Sequence, residues 1–186
     1  LGIGAGDEVI TTPMTFCATA NAVLYQGAEV KFVDIDADSL NIDPSLIEEK
    51  INDRTKAIIA VDFRGHPAAL YTIKKIANRY NIYVIEDGSH SIGSTYKDGG
   101  KKYMCGDGQH ADICTFSFHP VKHITTGEGG AILTNDKALF KKISILRSHG
   151  VTKDAKLMSK NDGPWYYEMK ELGFNYRITD FQCALG

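Results

Sequence analysis

The stretch "AIIAVDFRGHPAALYTIKKIANRYNIYVIED", residues 57–87, decides the fold. It opens on an unbroken apolar run, "AIIAVD" (57–62), and closes on another, "IYVIED" (82–87). Runs this short that are apolar on both faces read as strands buried on both sides, the habit of parallel sheets. Between them "AALYTIKKIANRY" (68–80) places Leu70, Ile73, Ile76 and Ala77 on one helical face. Strand, amphipathic helix and strand in this order form a right-handed parallel crossover.

The same alternation continues in both directions. Upstream, "DEVITT" (7–12) reads as a strand and "TFCATANAVLYQG" (15–27) as a helix, with Thr15 as its N-cap and Gly27 as its stop. "EVKFVDI" (29–35) reads as a strand, and "DPSLIEEKI" (43–51) as a helix capped by Asp43 with Pro44 in its first turn. Downstream, "DICTFSF" (112–118) and "GAILTN" (130–135) are strands and "KALFKKISILRSHG" (137–150) is a helix. Residues 152–168 are polar and read as a loop, and Thr179 is placed to cap a final helix. The class is α/β with a mainly parallel sheet. Both ends look cut, so the expectation is the middle of a longer protein.

Of the 186 residues, 43% are hydrophobic and 24% charged, with a net charge of -2, which gives no electrostatic case for nucleic acid or an anionic membrane. No apolar run reaches the roughly 18 residues of a membrane span. The four cysteines form no C-x-x-C pair and suit a reducing cytoplasm. Cys105, His110, Cys114 and His119 follow a C-x4-H-x3-C-x4-H spacing that matches no familiar zinc site, and no metal is expected.

In such sheets ligands bind at the carboxyl ends of the strands. Asp87 ends the strand 82–87, with His90 three residues on; Ser117 ends the next strand, and Lys122 follows five residues later. Phe16 follows the first strand. Each has a plain explanation when taken alone: a turn aspartate, a structural histidine, a core hydroxyl, a core ring, a solvated lysine. "GEGG" (127–130) serves equally as a tight turn. Together they meet the needs of pyridoxal 5'-phosphate (PLP). That cofactor wants an amine for a Schiff base, a carboxylate at the pyridine nitrogen, an aromatic ring on its face, and hydroxyls on its phosphate.

"SFHPVKHITTGEGGAILTND" (117–136) resembles the S-F-x-x-x-K-x-[IL]-[TS]-x-G-E-G-G signature of the DegT/DnrJ/StrS sugar aminotransferases. "GDEVITTPMTFCATANAVLYQGAEVKFVDID", "IEDGSHSIGSTY", "ILRSHG" and "FNYRITDFQCALG" also have counterparts there. The resemblance implies PLP as cofactor and fold type I, that of aspartate aminotransferase. Residues 1–186 would then be the central part of the PLP-binding large domain. The family's Gly-Thr phosphate turn would lie upstream of Asp7, and the small carboxyl-terminal domain would lie outside this chain. By position, Lys122 would form the Schiff base and shuttle the proton. Asp87 would pair with the pyridine nitrogen, His90 would contact the phenolic oxygen, Phe16 would stack on the ring, and Ser117 would bind the phosphate. Asn175 would reach the phosphate of a neighbouring subunit in a homodimer. "RSHGVTK", "GPWYYEMKELGFNYR" and "GGKKYMCGD" are most similar to the branch that takes L-glutamate as amino donor and aminates a UDP-linked 4-keto sugar for pseudaminic acid. Two rivals remain: a PLP-dependent sugar dehydratase, whose relatives carry histidine where this chain has Lys122, and a non-catalytic fragment of the fold.

Overall fold

Val9 and Ile10 are neighbours in sequence, both buried, and belong to different cores. Successive strand side chains point to opposite faces, so a strand that buries both must lie inside a sheet covered on each side. The computed structural model describes residues 1–186 and shows that arrangement. Its strands are β1 (Glu8–Thr11), β2 (Glu29–Phe32), β3 (Thr55–Val61), β4 (Tyr83–Asp87), β5 (Thr95–Asp98), β6 (Lys101–Met104), β7 (Ile113–Ser117), β8 (Gly130–Leu133), β9 (Val151–Thr152) and β10 (Glu168–Met169). Its helices are α1 (Cys17–Tyr25), α2 (Leu70–Tyr80), α3 (Lys137–Leu146) and α4 (Asp180–Leu185).

Six strands form the main sheet in the order β2-β1-β3-β4-β7-β8. All neighbours run parallel except the β7–β8 pair, which is antiparallel. One face carries the larger core: Ile10, Ile58, Ala60 and Val84 from the strands meet Leu70, Ile73, Ile76 and Ala77 of α2, the face predicted from spacing. On the other face, Val9, Ala57 and Ile59 pack against Val23 of α1. The carboxyl ends of β1, β3, β4 and β7 therefore share one edge, and the loops leaving them hold the candidate residues.

Two local expectations are corrected. Residues 43–51 wind as two short 3-10 turns, Pro44–Leu46 and Glu48–Lys50. Asp43 still caps, its carboxylate accepting from the Ser45 amide at 2.8 Å, but the backbone bonds run three residues back, as from Leu46 N–H to Asp43 O. This tighter winding buries Ile47 in the large core. Helix α1 starts at Cys17 with Phe16 at the N-cap position and no side-chain cap. Thr15 does not cap it, because its hydroxyl is engaged with that of Thr19 at 2.7 Å. The β5–β6 hairpin and the β9–β10 pair lay outside the sequence expectations. No helix is long and apolar enough to cross a membrane.

Candidate active site

Asp87 is the last residue of β4. Its Oδ2 accepts from the Thr19 hydroxyl at 2.9 Å, and its Oδ1 accepts from the Ser89 hydroxyl at 2.6 Å and the Ser89 amide at 3.2 Å. Thr19 lies in the first turn of α1, so the helix after β1 and the loop after β4 converge on one carboxylate. Phe16, at the N-cap of the same helix, is exposed and free to face a ligand.

Lys122 lies in the connection between the two antiparallel strands. That connection is drawn in at both ends: Phe118 N–H donates to Gly129 O at 2.8 Å and Thr126 N–H to Phe118 O at 3.0 Å. The buried Thr126 donates its hydroxyl to Glu128 O at 2.7 Å. A side chain at Gly130 would meet the Phe116 carbonyl at 2.7 Å, so close strand approach requires glycine there. The tip is a turn, with Lys122 N–H donating to His119 O at 2.9 Å. The Lys122 amine is half-buried and takes part in none of the ion pairs of the structure.

His90 feels the charges of both loops. Burial holds its imidazole below the usual range; the Lys122 charge adds to that, Asp87 opposes it, and His123 contributes in the same sense as Lys122. His90 is thus within electrostatic reach of both Asp87 and Lys122 and is biased toward its neutral form. Ser117 ends β7 opposite Gly130, and its Oγ accepts from His119 N–H at 3.4 Å. Asn175 is not drawn into this group. It is exposed, bridged through its backbone to Ser148, and its Oδ1 accepts from Arg177 Nε at 3.0 Å.

Thr19 and Ser89 escaped the sequence reading. The four-residue spacing of Thr15 and Thr19, one face of a helix start, was the available signal. The Cys–His spacing does not bring its four residues to one point: Cys105 and Cys114 are buried near one another, His110 is bonded to the Tyr96 hydroxyl at 2.8 Å, and His119 is exposed beside Glu128.

Residues 1–186 match the model of the DegT/DnrJ/EryC1/StrS aminotransferase family over their whole length. The chain belongs to that family. Among relatives, a UDP-4-amino-4,6-dideoxy-N-acetyl-beta-L-altrosamine transaminase of Campylobacter jejuni is 48% identical over 181 residues, 96% of this chain and 44% of that protein. A GDP-perosamine synthase of Caulobacter vibrioides is 42% identical over 186 residues, all of this chain and 46% of that protein. The solved structure of ntda from Bacillus subtilis with bound cofactor PMP superposes with a TM-score of 0.82 at 36% identity, covering 99% of this chain and 38% of that one. The chain thus spans a little under half the length of the curated relatives it matches. Its α/β architecture with a mainly parallel central sheet is that of the PLP-dependent sugar aminotransferases of the DegT/DnrJ/EryC1/StrS family. The donor set fits a pyridoxal-type cofactor: a carboxylate anchored by two residues, an amine without an ion-pair partner, an exposed ring and a strand-end hydroxyl.

Proposed function

We propose that the protein containing residues 1–186 transfers the amino group of L-glutamate to the 4-keto carbon of a UDP-linked deoxy sugar, with PLP as cofactor, in pseudaminic acid biosynthesis. The observation that carries this reading is Lys122: a half-buried amine outside every ion pair, on a loop pinned at both ends, within electrostatic reach of His90 and so of the Asp87 loop. The coarser part, a nucleotide-sugar aminotransferase, is the shared character of the family and its relatives. The 48% identity to the altrosamine transaminase favours the UDP-linked substrate.

When bound, PLP supplies an electron sink for the pair left when the α-proton departs. The protein's residues do the rest. Asp87, a carboxylate held in place by three hydrogen bonds, would pair with the pyridine nitrogen and keep it protonated. Lys122 Nζ would hold the cofactor and take up and return the proton. A neutral His90 would hydrogen-bond the phenolic oxygen, Phe16 would cover a ring face, and Ser117 would bind the phosphate. Residues 1–186 form the central part of the large domain, a small domain completes the substrate site, and Asn175 serves the phosphate of the partner in a homodimer. The compartment is the cytoplasm, in keeping with four free cysteines.

The test is the glutamate half-reaction of the full-length protein, read as 2-oxoglutarate release. Lys122→Ala is expected to abolish it while leaving the melting temperature unchanged. Offering UDP-linked and GDP-linked 4-keto sugars to the wild type separates the two relatives' chemistries. Preference for the GDP sugar would overturn the substrate assignment, and turnover by Lys122→Ala would overturn the mechanism.

A further inference from the structure

Behind Asp87, on the larger-core side, lies a polar cluster that the proposed reaction does not use. Asp62 follows β3 and is 0% exposed; Glu86 lies on β4 and is 2% exposed. Oxygens of both carboxylates and the sulfur of Cys105 lie within 4.8 Å of one another. Neither carboxylate makes an ion pair. Asp62 is well supplied: Oδ1 accepts from Ala68 N–H at 2.8 Å and Oδ2 from the Ser91 hydroxyl at 2.6 Å. Glu86 Oε2 accepts from Gly106 N–H at 3.0 Å, whereas its Oε1 is buried with no donor. Two bare carboxylates cannot face each other dry, and an oxygen with no donor in that setting marks where a proton sits.

We propose that Asp62 and Glu86 hold one proton between them, and that the pair is a positioning element that fixes the His90 loop against the end of β4. The loop is tied through Asp62 in two ways. Ser91, next to His90, donates to the Asp62 carboxylate, and Asp62 N–H donates to Asp87 O at 3.1 Å. Ser94 continues the strap, donating to Gly65 O at 2.9 Å and accepting from Cys105 N–H at 3.0 Å through its carbonyl. A single Asp62 charge with a neutral Glu86 keeps every one of these bonds; two charges would drive the strands apart.

The groups facing the pair are few. Cys105 and Cys114 present thiols held far above their usual range by burial and by the two acids, so they stay protonated. Tyr96, raised mainly by its own burial, also feels Asp62, Glu86, Cys105 and Asp107. Ser91 adds a hydroxyl. Burial raises both acids, and for Glu86 the Asp62 charge adds to it, which places the proton on Glu86. Protonated thiols, and three carboxylate oxygens already accepting hydrogen bonds, leave no donor set for a cation.

The role rests on the cofactor reading above, but its test does not need cofactor, so the two can fail separately. Infrared spectra of the full-length apoprotein at pH 6 are expected to show a carboxylic-acid C=O band that disappears in Glu86→Gln and fades by pH 9 in the wild type. A missing band in the wild type, or one that survives Glu86→Gln, would overturn the shared proton. So would one equivalent of divalent metal in the purified protein. For positioning, the readout is the NMR titration of His90. Ser91→Ala cuts the strap and is expected to move the His90 midpoint upward, toward that of a solvated imidazole, while Glu86→Gln keeps the Glu86 position neutral and the strap intact and leaves the midpoint in place. An unmoved midpoint in Ser91→Ala would overturn the positioning role.

Discussion

Asp87 accepts from Thr19 and twice from Ser89, which fixes where its carboxylate points. Hydrogen bonds to charged groups contribute about 1.5–3 kcal/mol each. Thr19→Val is therefore expected to slow the glutamate half-reaction roughly tenfold, measured in single turnovers, and to lower stability by about 1.5–3 kcal/mol. Asp87→Asn keeps the shape and loses the charge, so cofactor should stay bound, by its visible absorbance, while the half-reaction falls by far more than in Thr19→Val. An equal loss in the two variants would sink the role given to the Asp87 charge. The positions of Asp87, His90 and Lys122 were legible because strand ends are legible. Thr19 and Ser89 were not, since a hydroxyl can find a partner almost anywhere and its spacing alone names none. The Asp62–Glu86 pair was invisible for a related reason. Each acid ends or nearly ends an apolar run, where a solvated carboxylate is the ordinary expectation, and only the fold shows that the two face each other.

Helix α2 was legible in full because its apolar positions repeat at helical spacing and its partners, β3 and β4, are its chain neighbours. Ile73, fully buried there, sets a second expectation: Ile73→Ala should cost about 2–5 kcal/mol, seen as a lower denaturant midpoint with an unchanged slope. The helix expected over 43–51 was misjudged because its nine residues carry only three inward apolar side chains, Leu46, Ile47 and Ile51, two of them adjacent, and packing overrides propensity in so short a segment. The β5–β6 hairpin was missed because its strands, "TYKD" and "KKYM", lack alternation. The Gly99–Gly100 pair between them, both at positive φ, was the stronger signal.

Across the whole molecule, protonation links the buried pair to stability. The Glu86 carboxyl is raised from 4.5 to about 7, chiefly by burial. Below 4.5 the native and unfolded chains are both protonated at this group. Between 4.5 and about 7 the native chain holds the extra proton, so this contribution to stability falls as pH rises and is lost above about 7. Glu86→Gln should lack that decline, so the difference in melting temperature between variant and wild type should widen with pH across the same window. Assembly sets a further test. Phe16, Val121, Trp165, Tyr176, Phe181 and Leu185 are all exposed. If Asn175 serves the partner's site, mixing Asn175→Ala with Lys122→Ala subunits should restore part of the activity, with hybrids confirmed by mass. No recovery would assign both residues to one chain, in line with the bond Asn175 makes to its own Arg177.

The Thr19–Asp87 bond joins residues 68 positions apart, and the lysine loop takes its shape only when β8 has paired with β7. On the proposed assignment the first half of the chain carries Phe16, Asp87 and His90 but neither Ser117 nor Lys122. On the ribosome Asp87 follows Thr19, but Lys122 and the strand that shapes its loop are still to be made, and contacts between distant parts of a chain are slow to form. On that assignment cofactor capture is expected late in folding, as a latch on a finished sheet rather than a template for an unfinished one.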